Sequence, residues 1–456
     1  MSSAYTALIS GLVFPLQERF KRRATPALRA SLERSQWWPP ERLEALRLER
    51  LRGLLERVER VNPYYRRRFG EIGFAAAELR SLADLGRLPL LDKPTIRANL
   101  AALRSEDAGR LARFNTGGSS GEPLIFHIGE RVSHDVAAKW RATRWWDVDI
   151  GDPEIVLWGS PIELGAQDRL RALRDALMRT ELLPAFELSE AKLDRYLSRV
   201  CARRPRMLFG YPSALARLAR HAAGRGIRMD DLGIRVAFVT AERLYEEQRA
   251  TIAATFGCRV ANGYGARDAG FIAHQCPAGG MHITAEDVIV EIVGSDGNVL
   301  PPGRAGEVVV THLATGDFPF IRYRTGDVAV SDDALCACGR TLPLLREIQG
   351  RSTDFVVARD GTVMHGLALI YVLRDIPGIE AFKVIQESLD LTRVLLVAGP
   401  AFQVASITQI VAGLKQRLGA AVTIQVERVE QLASEASGKY RFIVSKVSSI
   451  LEAATP

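Results

Sequence analysis

Four short stretches of this chain carry residue types that could act on one molecule. The first, Asn115 to Pro123, contains Thr116-Gly117-Gly118-Ser119-Ser120-Gly121. Its glycines let successive backbone N–H groups turn toward one point, and its hydroxyls add donors for phosphate oxygens. No Gly-Lys-Ser/Thr follows, so it is not a Walker loop. The second, Tyr264-Gly265-Ala266-Arg267-Asp268, ends in a hard oxygen ligand suited to Mg2+. The third, Tyr323-Arg324-Thr325-Gly326-Asp327, offers a carboxylate that can accept both hydroxyls of a ribose. The fourth, Ser437-Gly438-Lys439, sets an ammonium on a polar loop from which it could reach a developing pentavalent phosphate. Each alone has a plainer reading: a surface loop, an N-capping aspartate, a turn aspartate, a solvated lysine. As a set they supply a phosphate loop, a metal carboxylate, a sugar-binding carboxylate and a late cation. Those are the parts needed for a carboxylate to attack the α-phosphate of ATP.

The elements around these stretches read as α/β. Residues 1 to about 110 are mostly helical, with Leu43, Leu46, Leu51, Leu54 and Leu55 at helical spacing and Asp92 as an N-cap. From 114 to about 270, strand-like runs (Glu154 to Trp158, Met207 to Phe209, Arg235 to Thr240, Cys258 to Asn262) alternate with helical ones (131–146, 189–203, 212–224, 245–256). That alternation predicts a largely parallel sheet, whose ligands sit at strand ends. From about 281 to 350 the texture changes to short β runs and turns, read as a small antiparallel sheet or barrel. After Arg351 a strand–helix–strand–strand–helix–strand order predicts a separate α+β lid. The expected division is 1–110 helical and 111–353 core, both in one large multi-subdomain α/β region with a β-barrel-like subdomain, and 354–456 as a small mobile α+β domain.

Length, charge and cysteines bound the class. The 456 residues are 47% hydrophobic and 25% charged, as in a globular chain. The net charge of +8 sits largely in an Arg-rich first stretch with interleaved glutamates, which predicts solvated helix faces more than a nucleic-acid groove. No run reaches the length of a membrane span, so no transmembrane segment is expected. The apolar segment Ala7 to Leu16 lacks a preceding basic residue, so it does not read as a signal peptide. Phe14 to Arg19 opens an amphipathic helix, which leaves a peripheral membrane contact as a minor alternative. Five cysteines, an odd number, point to reduced thiols and a cytoplasmic location. Cys276, His282, Cys336 and Cys338 could form a closed tetrahedral Zn2+ site, with His274 as a competing ligand. Cys201, Cys258, Trp145, Trp146 and Trp158 are expected in the core. His127 and His134 have no Ser or Cys arranged beside them as nucleophile.

The order and spacing of the four motifs resemble the adenylate-forming superfamily of acyl-CoA synthetases, adenylation domains and luciferases. The passage from Tyr323–Asp327 to Gly350-Arg351-Ser352-Thr353-Asp354 is most similar to the phenylacetate–CoA ligase branch. The resemblance covers roughly residues 40 to 450. It implies that Thr116 to Gly121 hold pyrophosphate, that Ala241-Glu242, Tyr264 and Gly265 line the nucleotide, and that Asp268 takes the metal-binding place. It implies further that Asp327 and Arg351 hold ribose, Asp354 is the hinge, Lys439 is the adenylation lysine, and Tyr211 with Tyr264 lines the acyl pocket. Two positions depart: Leu124 stands where the family carries a lysine, and Asp268 where it carries a glutamate. The implied activity is an AMP-forming acid–CoA ligase using ATP, Mg2+ and coenzyme A on an aryl or arylacetic acid. Alternatives are transfer of the adenylate to an amine, sugar or carrier protein, and a non-catalytic nucleotide binder. No nucleic-acid partner is expected, and a homodimer is left open.

Overall fold

A computed structural model describes residues 3–115, 124–158, 174–185, 188–351, 355–374, 376–432 and 442–447. Its centre is one eleven-stranded sheet. In chain order the strands are β1 (Glu154–Trp158), β2 (Thr180–Pro184), β3 (Met207–Gly210), β4 (Val236–Thr240), β5 (Arg259–Ala266), β6 (Gly270–Gln275), β7 (Met281–Ile283), β8 (Val288–Val293), β9 (Ala305–His312), β10 (Tyr323–Asp332) and β11 (Leu344–Arg351). In space they run β8-β9-β10-β11-β7-β6-β5-β4-β3-β1-β2. Pairing is parallel from β2 to β5 and antiparallel from β5 onward.

Sequence explains the parallel half. β3 and β4 are apolar apart from the closing Thr240 of β4, and every residue in them is buried. Strands covered on both faces need that composition. Helices Glu190–Arg203 and Pro212–Gly224 pack over one face through Leu193, Leu197, Leu215 and Leu218. Helix Arg131–Arg144 leads to Trp146 and Val148, which pack with Phe209 and Phe238 in a separate cluster. The β unit over 281–350 is antiparallel as expected. It is hydrogen-bonded into the same sheet, because β6 pairs with β5 on one side and β7 on the other. The N-terminal helices Pro40–Val61 and Pro63–Ile72 cover this half with Leu51, Leu55, Val58 and Phe69. Asp92 caps helix Lys93–Ala98, its Oδ1 accepting the Thr95 N–H at 2.8 Å.

After β11 the chain forms a second, four-stranded sheet: β12 (Ile379–Gln386), β13 (Leu391–Ala398), β14 (Thr423–Arg428) and β15 (Ile443–Ser445), in the order β14-β13-β12-β15. Helices Leu367–Arg374 and Ser406–Leu418 share a core with it built from Leu369, Leu373, Val384, Val394, Ile410 and Leu414. Phe442 meets Tyr245 of the large region edge-on, ring centroids 5.6 Å apart.

Candidate active site

Three parallel strands end side by side. Gly210 pairs with Val239 and Thr240 with Gly263, so Tyr211, Ala241 and Tyr264 lie at neighbouring carboxyl ends of β3, β4 and β5. Ala241 adopts a left-handed backbone, φ 71°, that turns the chain out of β4. Glu242 accepts the Ser213 N–H at 3.2 Å, which fixes it on the first turn of helix Pro212–Gly224. Trp158, at the end of β1, is half-buried rather than core, and its ring stacks on the buried Tyr211 at 4.4 Å. Its place as the last residue of a strand was the signal available for it.

Two hydroxyl–carboxylate bonds tie motif to motif. Tyr264 donates to Asp327 Oδ2 at 2.8 Å, and Tyr323 donates to Asp268 Oδ2 at 2.5 Å. Each motif's tyrosine therefore serves the other motif's aspartate. Burial, with the Asp327 charge beside it, pushes the Tyr264 phenol well above its ordinary value, so it remains a donor. Asp327 lies within β10 directly opposite Arg351 of β11, which juxtaposes the two residues expected on ribose. Arg267 Nη1 donates to the Asn115 carbonyl at 3.2 Å, joining the second motif to the strand that precedes the first. Asn115 in turn pairs with Ile125, so the chain at 125 returns beside 115. Thr116 through Gly121, the expected hinge Asp354 and the expected adenylation lysine Lys439 lie outside the described residues. Leu124, at the position of the family's lysine, is fully buried in the N-terminal core.

Asp268 sits in the turn between β5 and β6, so it does not cap a helix. It is buried, and among the described residues its second oxygen accepts no hydrogen bond. An oxygen donor of this kind fits Mg2+, which takes one or two carboxylates plus substrate oxygens. A support behind this turn was not singled out from sequence. The buried Arg131 donates from Nη1 to the Asp268 carbonyl at 2.7 Å, from Nη2 to the Arg267 carbonyl, and from Nε to Asp135 at 3.2 Å. Asp135 also accepts the Phe271 N–H at 3.1 Å and faces His312 Nε2 at 3.9 Å. Burial opposes the Asp135 charge, but Arg131 and His312 outweigh it and hold the carboxyl below its ordinary value. Gly270, φ 83°, closes this arrangement; a Cβ there would fall 2.7 Å from Asp135 Oδ1.

The Cys/His set converges elsewhere. The ligand atoms of Cys276, His282, Cys336 and Cys338 lie within 4.8 Å of one another; His274 is not among them. It is buried and stacked on Phe271, its imidazole pushed down to about 3 by burial. The Cys276–Cys336 sulfur separation is 3.6 Å, and Cys338 Sγ is 3.2 Å from His282 Nε2. Tetrahedral Zn–S bonds imply sulfurs ~3.8 Å apart, so the set fits zinc. The Leu342 carbonyl lies 3.4 Å from His282 Nδ1, which turns Nε2 toward the thiols. Burial, with the Cys336 contact, pushes the Cys276 thiol up to about 12, and burial brings the His282 imidazole down to about 4. Burial opposes the Cys338 thiolate too, but hydrogen bonds from Arg340 and the neighbouring thiols hold that thiol below its ordinary value, so a cation would have to draw its proton chiefly from Cys276. Gly280 is required, because a Cβ there would sit 2.5 Å from Cys336 Sγ. Cys276 lies six positions along from Gly270, just past the far end of β6, so this cluster lies ~20 Å from the Asp268 turn, at the opposite end of the strand. Cys201 is half-buried in helix Glu190–Arg203, and Cys258 is buried with its thiol pushed up to about 12 by burial.

A cavity of about 500 Å3, lined by Glu33, Asp149, Asp152, Arg144, Arg206 and others, opens at the starts of β1 and β3, away from their carboxyl ends. Its charges pair with each other: Arg144 with Glu33 and Asp149 at 2.6 Å, Arg206 with Asp152 at 3.5 Å. None of the described motif residues lines it.

Residues 356–446 match the CapK C-terminal domain family. The chain is 28% identical over 336 residues to a phenylacetate–coenzyme A ligase of Thermus thermophilus, covering 70% of this chain and 73% of that one. It is 23% identical over 382 residues to the protein CapK of Staphylococcus aureus, covering 80% and 81%. Among solved structures it is similar to a 2-hydroxyisobutyryl-CoA ligase in the postadenylation state with an acyl-AMP, at TM-score 0.72, 20% identity and 91% of each chain.

Proposed function

We propose that this chain, which shares the fold of the adenylate-forming ligases and resembles their phenylacetate–CoA ligase branch in sequence, is an ATP-dependent acid–CoA ligase. The observation that carries the reading is the reciprocal bonding of Tyr264 with Asp327 and Tyr323 with Asp268, beside the strand that leads into the glycine loop. A carboxylate oxygen attacks the α-phosphate, a P–O bond forms, and pyrophosphate leaves with the electrons of the bond that breaks. No side-chain nucleophile is needed; positioning and charge do the catalysis. Mg2+ on Asp268 would offset charge on the phosphates. Asp327 and Arg351 hold the ribose, Thr116 to Gly121 the phosphates, and Ala241, Glu242, Tyr264 and Gly265 the base and its surroundings. Tyr211 and Trp158 border the acyl group.

Residues 354–456 act as a lid that turns about Asp354. Lys439 serves adenylation in one orientation, and coenzyme A attacks the adenylate in the other. Phe442, three residues beyond Lys439, touches Tyr245, which supports an approach of the lysine to this edge. The acid is an aryl or arylacetic one. Zinc holds the Cys276–Cys338 set, and the protein is cytoplasmic, as its reduced thiols favour.

The test is ATP–pyrophosphate exchange with Mg2+ across aryl, arylacetic and short hydroxy acids. Exchange with an aryl acid is expected. Lys439→Ala should abolish it while sparing thiolysis of preformed adenylate. Nucleotide binding without exchange for every acid would overturn the reading. The match of residues 356–446 to the CapK C-terminal domain favours one second reading, in which the adenylate passes to an amine, sugar or carrier protein. An acceptor screen with one activated acid separates the two.

A further inference from the structure

The first helix leaves one of its faces uncovered. Ala4–Leu8, a π-helical turn Ile9–Val13, and Phe14–Phe20 form one continuous helix, ~25 Å long. Its inner face is committed: Ile9 and Phe14 pack with Ile150 and Met178, and Thr6 Oγ1 donates to Asp152 at 2.8 Å. Its outer face carries Leu8, Leu12, Leu16 and Phe20, four residues apart and 50%, 52%, 56% and 91% exposed. Scattered exposed apolar residues are ordinary, but an unbroken stripe of four is not. Leu177, 41% exposed, lies beside it, its carbonyl accepting the Tyr5 hydroxyl at 2.7 Å.

Charge selects the occupant. Glu18 is the only acid among the first 32 residues, and it is buried, accepting the Thr25 hydroxyl at 2.6 Å. Arg19, Lys21, Arg22 and Arg23 are exposed where the stripe ends. The surface offered is thus apolar along its length and cationic at its end, with no exposed acid. A second copy would supply the same cations and no carboxylate to receive them. An anionic bilayer supplies both needs, an acyl boundary for the leucines and phosphates for the guanidinium groups. Among the described residues no helix is long and apolar enough to cross a membrane, so the contact lies in the interface plane.

We infer that this helix docks the protein on an anionic lipid surface, an inference independent of the ligase reading. The full chain is sedimented with vesicles of phosphatidylglycerol and phosphatidylcholine in equal parts, and with phosphatidylcholine alone. Binding is expected to the mixed vesicles only, and it should weaken as salt rises. Leu12→Asp with Leu16→Asp should weaken it by about tenfold or more. Arg22→Ser with Arg23→Ser should weaken it and flatten its salt dependence, and this pair keeps the test open should the leucine variants fail to fold. No binding, or equal binding to both vesicle types, would overturn the inference. So would a concentration-dependent dimer, seen by sedimentation velocity, that Leu12→Asp dissolves, since the face would then belong to a second copy.

Discussion

Asp268 owes its position to groups far from it in the chain. Arg131 holds its backbone and Tyr323 its side chain, 137 and 55 residues away. Replacing Arg131 by Met leaves the buried Asp268 carbonyl and the part-buried Arg267 carbonyl without this donor and deprives Asp135 of one of its partners, at a cost of about 2–4 kcal/mol. The turn would loosen without losing its carboxylate. The Mg2+ concentration for half-maximal exchange should therefore rise by roughly tenfold, an effect of ~1.4 kcal/mol, with Arg131→Lys recovering part of it. A purely structural role would lower thermal stability and leave the Mg2+ dependence unchanged. The aspartates themselves were legible in sequence, because carboxylates after Tyr-Gly and Thr-Gly announce themselves. Arg131 was not: one arginine in a helix of this Arg-rich chain looks like a solvated charge until the fold buries it.

Between residues and fold stand the short strands. β1, β3 and β4 were readable because each is dominated by an apolar run, over 155–158, 207–209 and 236–239. β6, β7 and β11 were not, since strands of three to eight residues take their identity from partners, and β7 only pairs because β6 and β11 flank it. β2 ends in Pro184, which an edge strand tolerates. The turn before β7 carries Cys276, β7 itself carries His282, and the loop before β11 carries Cys336 and Cys338, so a cation there would lock these weakly specified strands in register. Gly280→Val should abolish zinc retention, measured by elemental analysis, and lower the unfolding midpoint by several degrees. The KM for ATP should hardly move, given the ~20 Å of sheet between the two sites. Loss of ATP binding along with the metal would contradict a structural role.

Across the whole molecule, buried charges join segments that sequence reading had kept apart. Arg50 of the N-terminal helices and His134 of helix Arg131–Arg144 both reach Asp287 in the turn before β8, at 2.9 and 2.8 Å. Asp135 and His312 are the other titratable groups beside His134. Burial works against both ions of the pair. Nevertheless the Asp287 contact raises His134 above its ordinary 6.5, and the His134 contact holds Asp287 down at about 2 against an ordinary 3.8. A raised histidine stabilises fully below pH 6.5 and loses that effect as pH climbs through its folded value. A depressed aspartate stabilises fully above pH 3.8 and loses it as pH falls toward 2. The stability gap between the native protein and His134→Gln should therefore be widest between about pH 4 and 6.5, on the order of 1–3 kcal/mol, and shrink on either side. Thermal unfolding across pH measures it, and a gap that stays flat would refute the assignment.

β11 carries one further consequence. The same ribbon bears Arg351 opposite Asp327 and, four residues on, enters the hairpin that opens at Phe355. On the proposed reading, the residues that hold the nucleotide's sugar and the hinge of the smaller body are consecutive links of one covalent segment. If so, swivelling that body would tug on the sugar's holders, and a tenant in the sugar pocket would bias the swivel.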